Sequence, residues 1–496
     1  MTLSITTSSA QARPRMKTDS AQLLAQWSYV EYSAMRVLCG WGRDAEHWED
    51  KLAMCYGTWL QAQNADKLRN RLQMFPGNPD APVAGAFETA LNTLFLAESW
   101  ADAMSGLHEI LYPALAQAYS GYITTSHPVH DHPTHDILRQ IMAEREMQMQ
   151  WYESFKARSG HQMNPDYAAR ARQALSQIGD FKEPLPVQEP FARPCGKFTD
   201  YRMQAAPGRV PEGDKAPNIM PFLELDWSHS VEARRLYFMI GYMWEMGVAE
   251  MQLRWLFYAD FMPWKFLHDE ARHMWDESRH GNSGRTRLQN FDLDIRDVGY
   301  TSYGAAKASG TLPPMSPRDV YEAFYNVTQI AETGYFKTKG YCFEDFRDGG
   351  DLASAEMMQF DIIDETSHTE YGRLWLEEMM KRAGIEEDYK ARALQERHDA
   401  YAKAGRKVEL YRHFLETGEF PQDEPIADAS LEAEQAENTA PAVSVVPGDS
   451  DSLIDFCRTL VDPEAKAHYQ WLLEEVRRRC PLSNVDTAPV RPHLPM

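Results

Sequence analysis

Apolar residues recur at helical spacing over residues 21–160 and again over 228–415, and the Val/Thr alternation of half-buried strands is scarce. The pattern predicts an all-α chain. Between these stretches, 180–222 is interrupted by Pro184, Pro186, Pro190, Pro194, Pro207, Pro211, Pro217 and Pro221, so residues 161–227 are expected to form a Pro-rich connector. From 418 to 451 the chain turns to Glu, Ala, Pro and Ser, which bury too little apolar surface to offset the entropy of ordering. A flexible acidic linker is expected there. Residues 452–496 carry short amphipathic runs with Pro463 placed to open a helix, giving a short helical tail that docks on the body or on a partner. The Met- and Trp-rich stripe Tyr237–Trp255 reads as core packing, with the lining of a substrate channel as the alternative.

The two helical stretches repeat each other. At an offset of 216, Trp59 pairs with Trp275, and Arg69-Asn-Arg71-Leu-Gln-Met-Phe75 matches Arg285-Thr-Arg287-Leu-Gln-Asn-Phe291. The match extends more weakly to Ala97-Glu98 against Ala331-Glu332, and to Ile141-Met-Ala-Glu144 against Ile362-Ile-Asp-Glu365. An internal duplication of a helical unit follows.

Chemistry concentrates in the second stretch. Asp276-Glu277-Ser-Arg-His280 and Asp364-Glu365-Thr-Ser-His368 are two DExxH motifs, and three residues is nearly one helical turn, so the Glu and His of each project from one face. Glu245 precedes Glu277 by 32 residues and Glu332 precedes Glu365 by 33. Helices running about 16 residues to a turn and back bring such positions level, at about 1.5 Å of rise per residue. Turns are expected at Phe261-Met-Pro263 and at Arg347-Asp-Gly349-Gly350-Asp351, near the two midpoints. Four helices then present four carboxylates and two imidazoles to one core, a set that holds two iron or manganese ions. Glu250 competes with Glu245 for the first-helix role, but its 27-residue interval to Glu277 fits the turn less well, and a pair with Arg254 is the alternative use. Asp276 and Asp364 are either acceptors for the histidine of the opposite motif or solvated helix-face charges.

In the first stretch the positions of Glu277 and His280 are Gln61 and Asn64, and Gln26 falls near that of Glu245. Glu144 is followed by Met147 where the histidine would stand, and Glu98 remains. Amides replace anionic ligands poorly, so residues 21–160 are expected to be a degenerate bundle without a full ligand set. The run His127-Pro-Val-His130-Asp-His132-Pro-Thr-His135 is read as a surface loop with at most adventitious metal binding, and Glu270 with His273 as a structural or supporting pair.

Composition narrows the classes further. The 496 residues hold 51 Lys and Arg against 73 Asp and Glu, a net charge of −22 that argues against nucleic acid or anionic lipid as partners. Cys39, Cys55, Cys195, Cys342, Cys457 and Cys480 form no CxxC pair, no apolar run approaches the roughly 20 residues of a membrane span, and the polar start lacks a signal-peptide core. A cytoplasmic protein away from membranes is expected.

Asp276-Glu-Ser-Arg-His280 resembles the DExRH element of the ferritin-like di-iron carboxylate superfamily, which includes oxygenases, desaturases and ribonucleotide reductase small subunits. Together with Met262-Pro-Trp-Lys-Phe it is also similar to an uncharacterised bacterial ferritin-like family. The resemblance covers about 228–385, with an echo in 21–160, and implies two ferritin-like bundles in tandem with Glu245, Glu277, His280, Glu332, Glu365 and His368 as ligands. It implies two iron ions, or manganese, with O2 as co-substrate, and oxidation of a small organic substrate using an external electron donor, a homodimer being a further expectation. Gly284 stands where the reductases carry a radical tyrosine, so a stored tyrosyl radical is not implied. The other classes are an iron-handling ferroxidase and a non-enzymatic helical interaction protein. Buried acids without ions would repel, which weighs against the latter.

Overall fold

In a computed structural model of the chain, residues 17–45, 47–75, 77–80, 85–185, 216–226, 230–298, 314–417 and 459–479 are described. Among them every regular element is helical. The linker expected at 418–451, most of the proline run, and Cys195, Cys457 and Cys480 lie outside these residues, while Cys39, Cys55 and Cys342 are buried free thiols. Among the described residues no helix is long and apolar enough to cross a membrane.

The chain divides into two compact units. The first comprises Met1–Ala205, Leu256–Trp275 and Thr311–Pro314, and the second Ala206–Trp255, Asp276–Gly310 and Met315–Met496.

In the first unit, α1 (Lys17–Trp41) and α2 (Trp48–Gln73) form a hairpin, followed by α3 (Gly85–Phe95) and α4 (Trp100–Ser105). A π-helical turn, Gly106–Leu111, then leads into α5 (Tyr112–Thr125) and the long α6 (His132–Ser159). Trp27 anchors the core, meeting Tyr119 and Tyr122 edge-on at 5.1 and 5.3 Å and donating its indole N–H to the Phe181 carbonyl. The stretch expected as a connector holds a further helix of this unit, α7 (Pro165–Gln177). Here proline starts a helix rather than breaking one, because Pro165 sits where no N–H partner is required and the Asn164 side chain caps the next two amides.

The second unit begins with α8 (Met220–Asp226), takes α9 (Val231–Tyr258) up to Trp255 and α10 (Trp264–Asn290) from Asp276 onward, and leaves Leu256–Trp275 to the first unit. After the short α11 (Ile295–Val298), α12 (Pro317–Tyr325) runs through a second π-helical turn, Asn326–Ala331, into α13 (Glu332–Asp348). α14 (Leu352–Ala383), α15 (Tyr389–Thr417) and α16 (Pro463–Arg479) complete it. The turns fall at Ala259–Phe261 with Pro263, and at Gly349-Gly350-Asp351, where Gly350 takes φ +82°, a conformation open to glycine at little cost. Tail helix α16 docks on the body through Tyr469, which stacks on Phe222 and donates to Asp226 at 2.9 Å.

The repeated RxRLQxF segment has one job in both units. Arg71 donates to Asp131 at 3.0 Å and to Thr134 at 2.9 Å, at the start of α6. Arg287 donates to Asp351 at 2.7 Å and to Ser354 at 3.0 Å, at the start of α14. Each guanidinium also lies over the phenylalanine that ends its own motif, Phe75 or Phe291, at 4.9 and 4.6 Å. Asp131 and Asp351 are 220 residues apart, as are the two π-helical turns. The register of the second hairpin is therefore 220, one less than the 221 expected from pairing Glu144 with Glu365.

Candidate metal centre

One residue of helical register is about 100° of rotation, and that decides which side chains reach the core. At offset 220 Glu365 corresponds to Arg145 and His368 to Gln148, while Glu332 corresponds to Tyr112. Glu144 accordingly points outward to an ion pair with Lys67 at 2.7 Å, and Met147 is exposed. Glu98 lies in the loop before α4, accepting from Asn164, and Gln26 donates to the Leu185 carbonyl. None of these is the remnant ligand that the looser alignment suggested. What occupies the core of the first unit is Glu31, bound by Arg145 at 2.6 and 2.7 Å and by the Tyr119 hydroxyl at 2.8 Å. Beside it Gln61 reaches Tyr112 at 3.1 Å and Gln148 at 3.4 Å, and Asn64 is buried.

In the second unit four helices converge. α9 brings Glu245, α10 brings Asp276, Glu277 and His280, α13 brings Glu332, and α14 brings Asp364, Glu365 and His368. His280 Nδ1 lies 3.2 Å from Glu245 and 4.0 Å from Glu277. His368 Nδ1 lies 3.3 Å from Glu277, 3.5 Å from Glu332 and 3.7 Å from Glu365. The two imidazole rings are 6.0 Å apart. Both Nδ1 atoms thus face inward among carboxylates. Both Nε2 atoms face the aspartate of the opposite motif, His280 to Asp364 at 3.2 Å and His368 to Asp276 at 3.4 Å. Arg279 joins the two aspartates, contacting Asp276 and lying 2.6 Å from Asp364.

Among the described residues of the second unit, two groups absent from the expected set join the cluster. Asp361, one turn before Glu365, lies 3.4 Å from His280 Nδ1, and Lys339, two turns after Glu332, reaches Asp361 at 2.7 Å and Glu365 at 2.9 Å. Helical spacing carried the signal for both: Asp361 shares the Glu365 face at i+4, and Lys339 shares the Glu332 face at i+7. Glu250 is buried but belongs to none of the close donor groupings among the described residues. Glu270 and His273 pair with each other at 3.4 Å.

The donors suit hard divalent cations. Glu245, His280 and Asp361 offer one ligand atom each within 4.8 Å of one another, as do Glu277, His280 and Glu365, and likewise Glu277, Glu332 and His368. Glu245, His280, Asp361 and Glu365 each hold a buried polar atom that receives no well-formed hydrogen bond. In the metal-free protein the charges answer one another instead. Burial pushes the His280 and His368 imidazoles toward neutrality, but the surrounding acids outweigh it and hold both pKa values well above the ordinary histidine range. Burial, reinforced by Glu277, pushes the Glu245 carboxyl up to about 8, whereas Lys339 and the imidazoles overcome burial at Glu365 and hold it well below the usual carboxylate range. An ion held by this cluster would displace protons. Glu245 alone of the six expected ligands keeps substantial side-chain exposure, 21%, so the centre meets solvent on the α9 side.

The His127–His135 run is divided between separate hydrogen bonds. His135 is buried against Ser126 Oγ at 2.7 Å, His132 pairs with Asp136 at 3.0 Å, and the His127 and His130 rings stack on each other. Comparison of the chain with protein-family models, with curated proteins and with solved structures finds no match.

Proposed function

We propose that the second unit is a ferritin-like bundle holding two iron ions, and that the chain is an O2-dependent oxygenase or oxidase acting on a small organic substrate. The first unit is, in this reading, a related bundle without metal, joined in tandem. The observation that carries the proposal is the orientation of the two imidazoles: each Nδ1 faces carboxylates from other helices, and each Nε2 meets the aspartate of the opposite motif. Glu245, Glu277, His280, Glu332, Glu365 and His368 would hold the ions. Asp276 and Asp364 fix each imidazole in the tautomer that leaves Nδ1 unprotonated for an ion, and Arg279 holds both aspartates in place. When bound and reduced, two iron ions supply the activation of dioxygen toward an otherwise inert C–H or amine group.

The rest of the site's work belongs to the chain. Met239, Met243 and Met246 are fully buried on α9, where Gly281 and Gly284 of α10 pack against Met246 and Met243, and Glu245, the most exposed of the six, marks the side where a small substrate and an external electron donor would have access. Manganese accepts the same donors.

Anaerobic loading with Fe(II), followed by elemental analysis, should give two ions per chain, with O2 uptake on admission of air and reductant. Glu277→Ala and His368→Ala should each lose at least one ion. Retention of no metal by the wild-type chain would reject the proposal. Turnover of Fe(II) alone, accompanied by a large closed assembly in size-exclusion chromatography, would replace it with ferroxidase chemistry.

A further inference from the structure

Five carboxylates, not four, line the inner cluster once Asp361 is counted with Glu245, Glu277, Glu332 and Glu365. Asp361 is 2% exposed, among Lys339, His280 and Tyr242. Its two oxygens face different ways. Oδ2 lies 2.7 Å from the Lys339 ammonium, and Oδ1 lies 3.4 Å from His280 Nδ1, on the inward side that Glu245 also faces. Lys339 in turn spans to Glu365 at 2.9 Å and lies over the Tyr242 ring at 5.4 Å, which fixes the ammonium at the edge of the cluster.

We propose that Asp361 is a seventh metal ligand, serving the ion at the Glu245–His280 end, and that Lys339 is the built-in counter-cation that makes a fifth carboxylate tolerable. This rests on the di-metal reading above. Charge supports it: with both imidazoles neutral, five carboxylates, one ammonium and two divalent ions sum to zero, the balance a buried site requires. The first unit offers a control. At offset 220 Asp361 becomes Ile141 and Lys339 becomes Tyr119, so acid and lysine are absent together where the ligand set is absent. A lysine kept only for packing would have no reason to follow the acid.

The test measures metal, not turnover. Fe(II) under anaerobic conditions, and Mn(II) as a redox-inert probe, are titrated into the full chain against a competing chelator, with Asp361→Asn, Asp361→Glu, Lys339→Met and the double variant D361N/K339M alongside wild type. D361N should weaken the second ion by more than about 100-fold, beyond the 10–100-fold that an outer group costs. D361E should recover most of it. K339M should keep two ions, bind them about tenfold more tightly, and melt at a lower temperature when metal-free. The double variant should bind the second ion about tenfold more tightly than D361N, because the ammonium is gone there too, and still at least about tenfold more weakly than wild type. Unchanged affinity in D361N, or wild-type affinity in the double variant, would reduce Asp361 to a partner of Lys339 and overturn the assignment. A loss of affinity in K339M as large as in D361N would overturn the counter-cation role. A wild-type chain that takes up no metal would instead sink the metal-centre reading itself, so the two failures are distinguishable.

Discussion

The two units place different chemistry at corresponding buried positions. At the centre of the first, one carboxylate, Glu31, meets one guanidinium, Arg145, with Tyr112, Tyr119, Gln61 and Gln148 completing a closed polar network. At the centre of the second, acids and histidines stand where the first has amides, tyrosine and arginine, and among the described residues the Lys339 ammonium, paired with Asp361 and Glu365, stands beside five carboxylates. The frame is held in the same way in both, by Arg71 on Asp131 and by Arg287 on Asp351. A helical frame of this kind is therefore indifferent to what fills its middle, provided charge balances. The first unit pairs its buried acid with an arginine, and the second gathers acids whose charge protons or bound cations would offset.

The sharpest way to break this comparison is to unbalance the first unit. Arg145→Met leaves the fully buried Glu31 carboxylate without its cation, and should cost about 3–5 kcal/mol. Urea unfolding followed by hydrogen exchange in α1 and α6 would show it. The double variant E31Q/R145M should recover most of the loss, since removing both charges removes the penalty. A loss below about 1 kcal/mol in R145M would mean that the ion pair does not do in the first unit what ions are proposed to do in the second.

Acid provides the next test. His108 lies in the first π-helical turn, 3% exposed, with Nδ1 2.9 Å from the Met104 carbonyl and its ring stacked on Tyr152 at 4.6 Å. Burial pushes its pKa down to about 4. The unfolded chain takes up this proton near the ordinary value of about 6.5, and the folded chain only near 4. The contribution to stability is thus complete above pH 6.5 and is lost as pH falls toward 4, by about 3 kcal/mol in all. The corresponding residue of the second unit is Thr328, whose hydroxyl donates to the Phe324 carbonyl at 2.9 Å, the equivalent bond without a titrating group. His108→Thr should therefore flatten the acid limb of a stability–pH curve between 6.5 and 4. An unchanged slope would refute the burial argument.

How much of this was written in the sequence depends on the length of the periodic signal. The helices, their turns and the convergence of Glu245, Glu277, His280, Glu332, Glu365 and His368 follow from two ExxH pairs and intervals of 32 and 33 residues, because helical rise and rotation turn such spacings directly into position. In the first unit the equivalences of the first hairpin were legible at offset 216, and those of the second hairpin were not. No residue identity marks a π-helical turn, and with the ligand motifs gone, the weak match at Glu144 slid by one residue, enough to exchange an outward acid for the inward Arg145. Asp361 and Lys339 share helical faces with Glu365 and Glu332, but that spacing alone does not single them out. Each belongs to no motif, and only the folded arrangement shows that Lys339, on α13, balances Asp361 on α14.

A smaller effect is expected at Gly284, where α10 meets α9. A β-carbon there would collide with the Met243 backbone nitrogen and the Met239 carbonyl oxygen, so α10 lies directly on the α9 backbone and no larger side chain has room. The corresponding residue in the first unit is Leu68, fully buried. Gly284→Ala should cost about 1–3 kcal/mol by forcing α9 and α10 apart, and should weaken metal binding because Glu245 and Glu277 stand on those two helices. If the melting temperature falls while metal affinity holds, helix spacing does not set the site.

The least costly contrast concerns the helices that enter the π-helical turns. Ser316 caps α12 by accepting from the Asp319 N–H at 3.2 Å, while Asp319 accepts from the Ser316 N–H at 2.7 Å, a reciprocal box confined to its own helix. Ser99 caps α4 in the same way, accepting from the Asp102 N–H at 3.1 Å, but Asp102 divides its oxygens, one accepting from the Ser99 hydroxyl at 3.0 Å and the other from the Asn164 N–H at 2.8 Å, at the start of α7. Ser316→Ala and Ser99→Ala should each cost about 1 kcal/mol. The acids should separate. Asp319→Asn should fray only α12, whereas Asp102→Asn should also raise amide exchange in α7, because one carboxylate joins the starts of two helices in the first unit. Equal exchange in α7 for D102N and wild type would show that the first unit does not use this acid to hold α7, and that the two entry helices are equivalent after all.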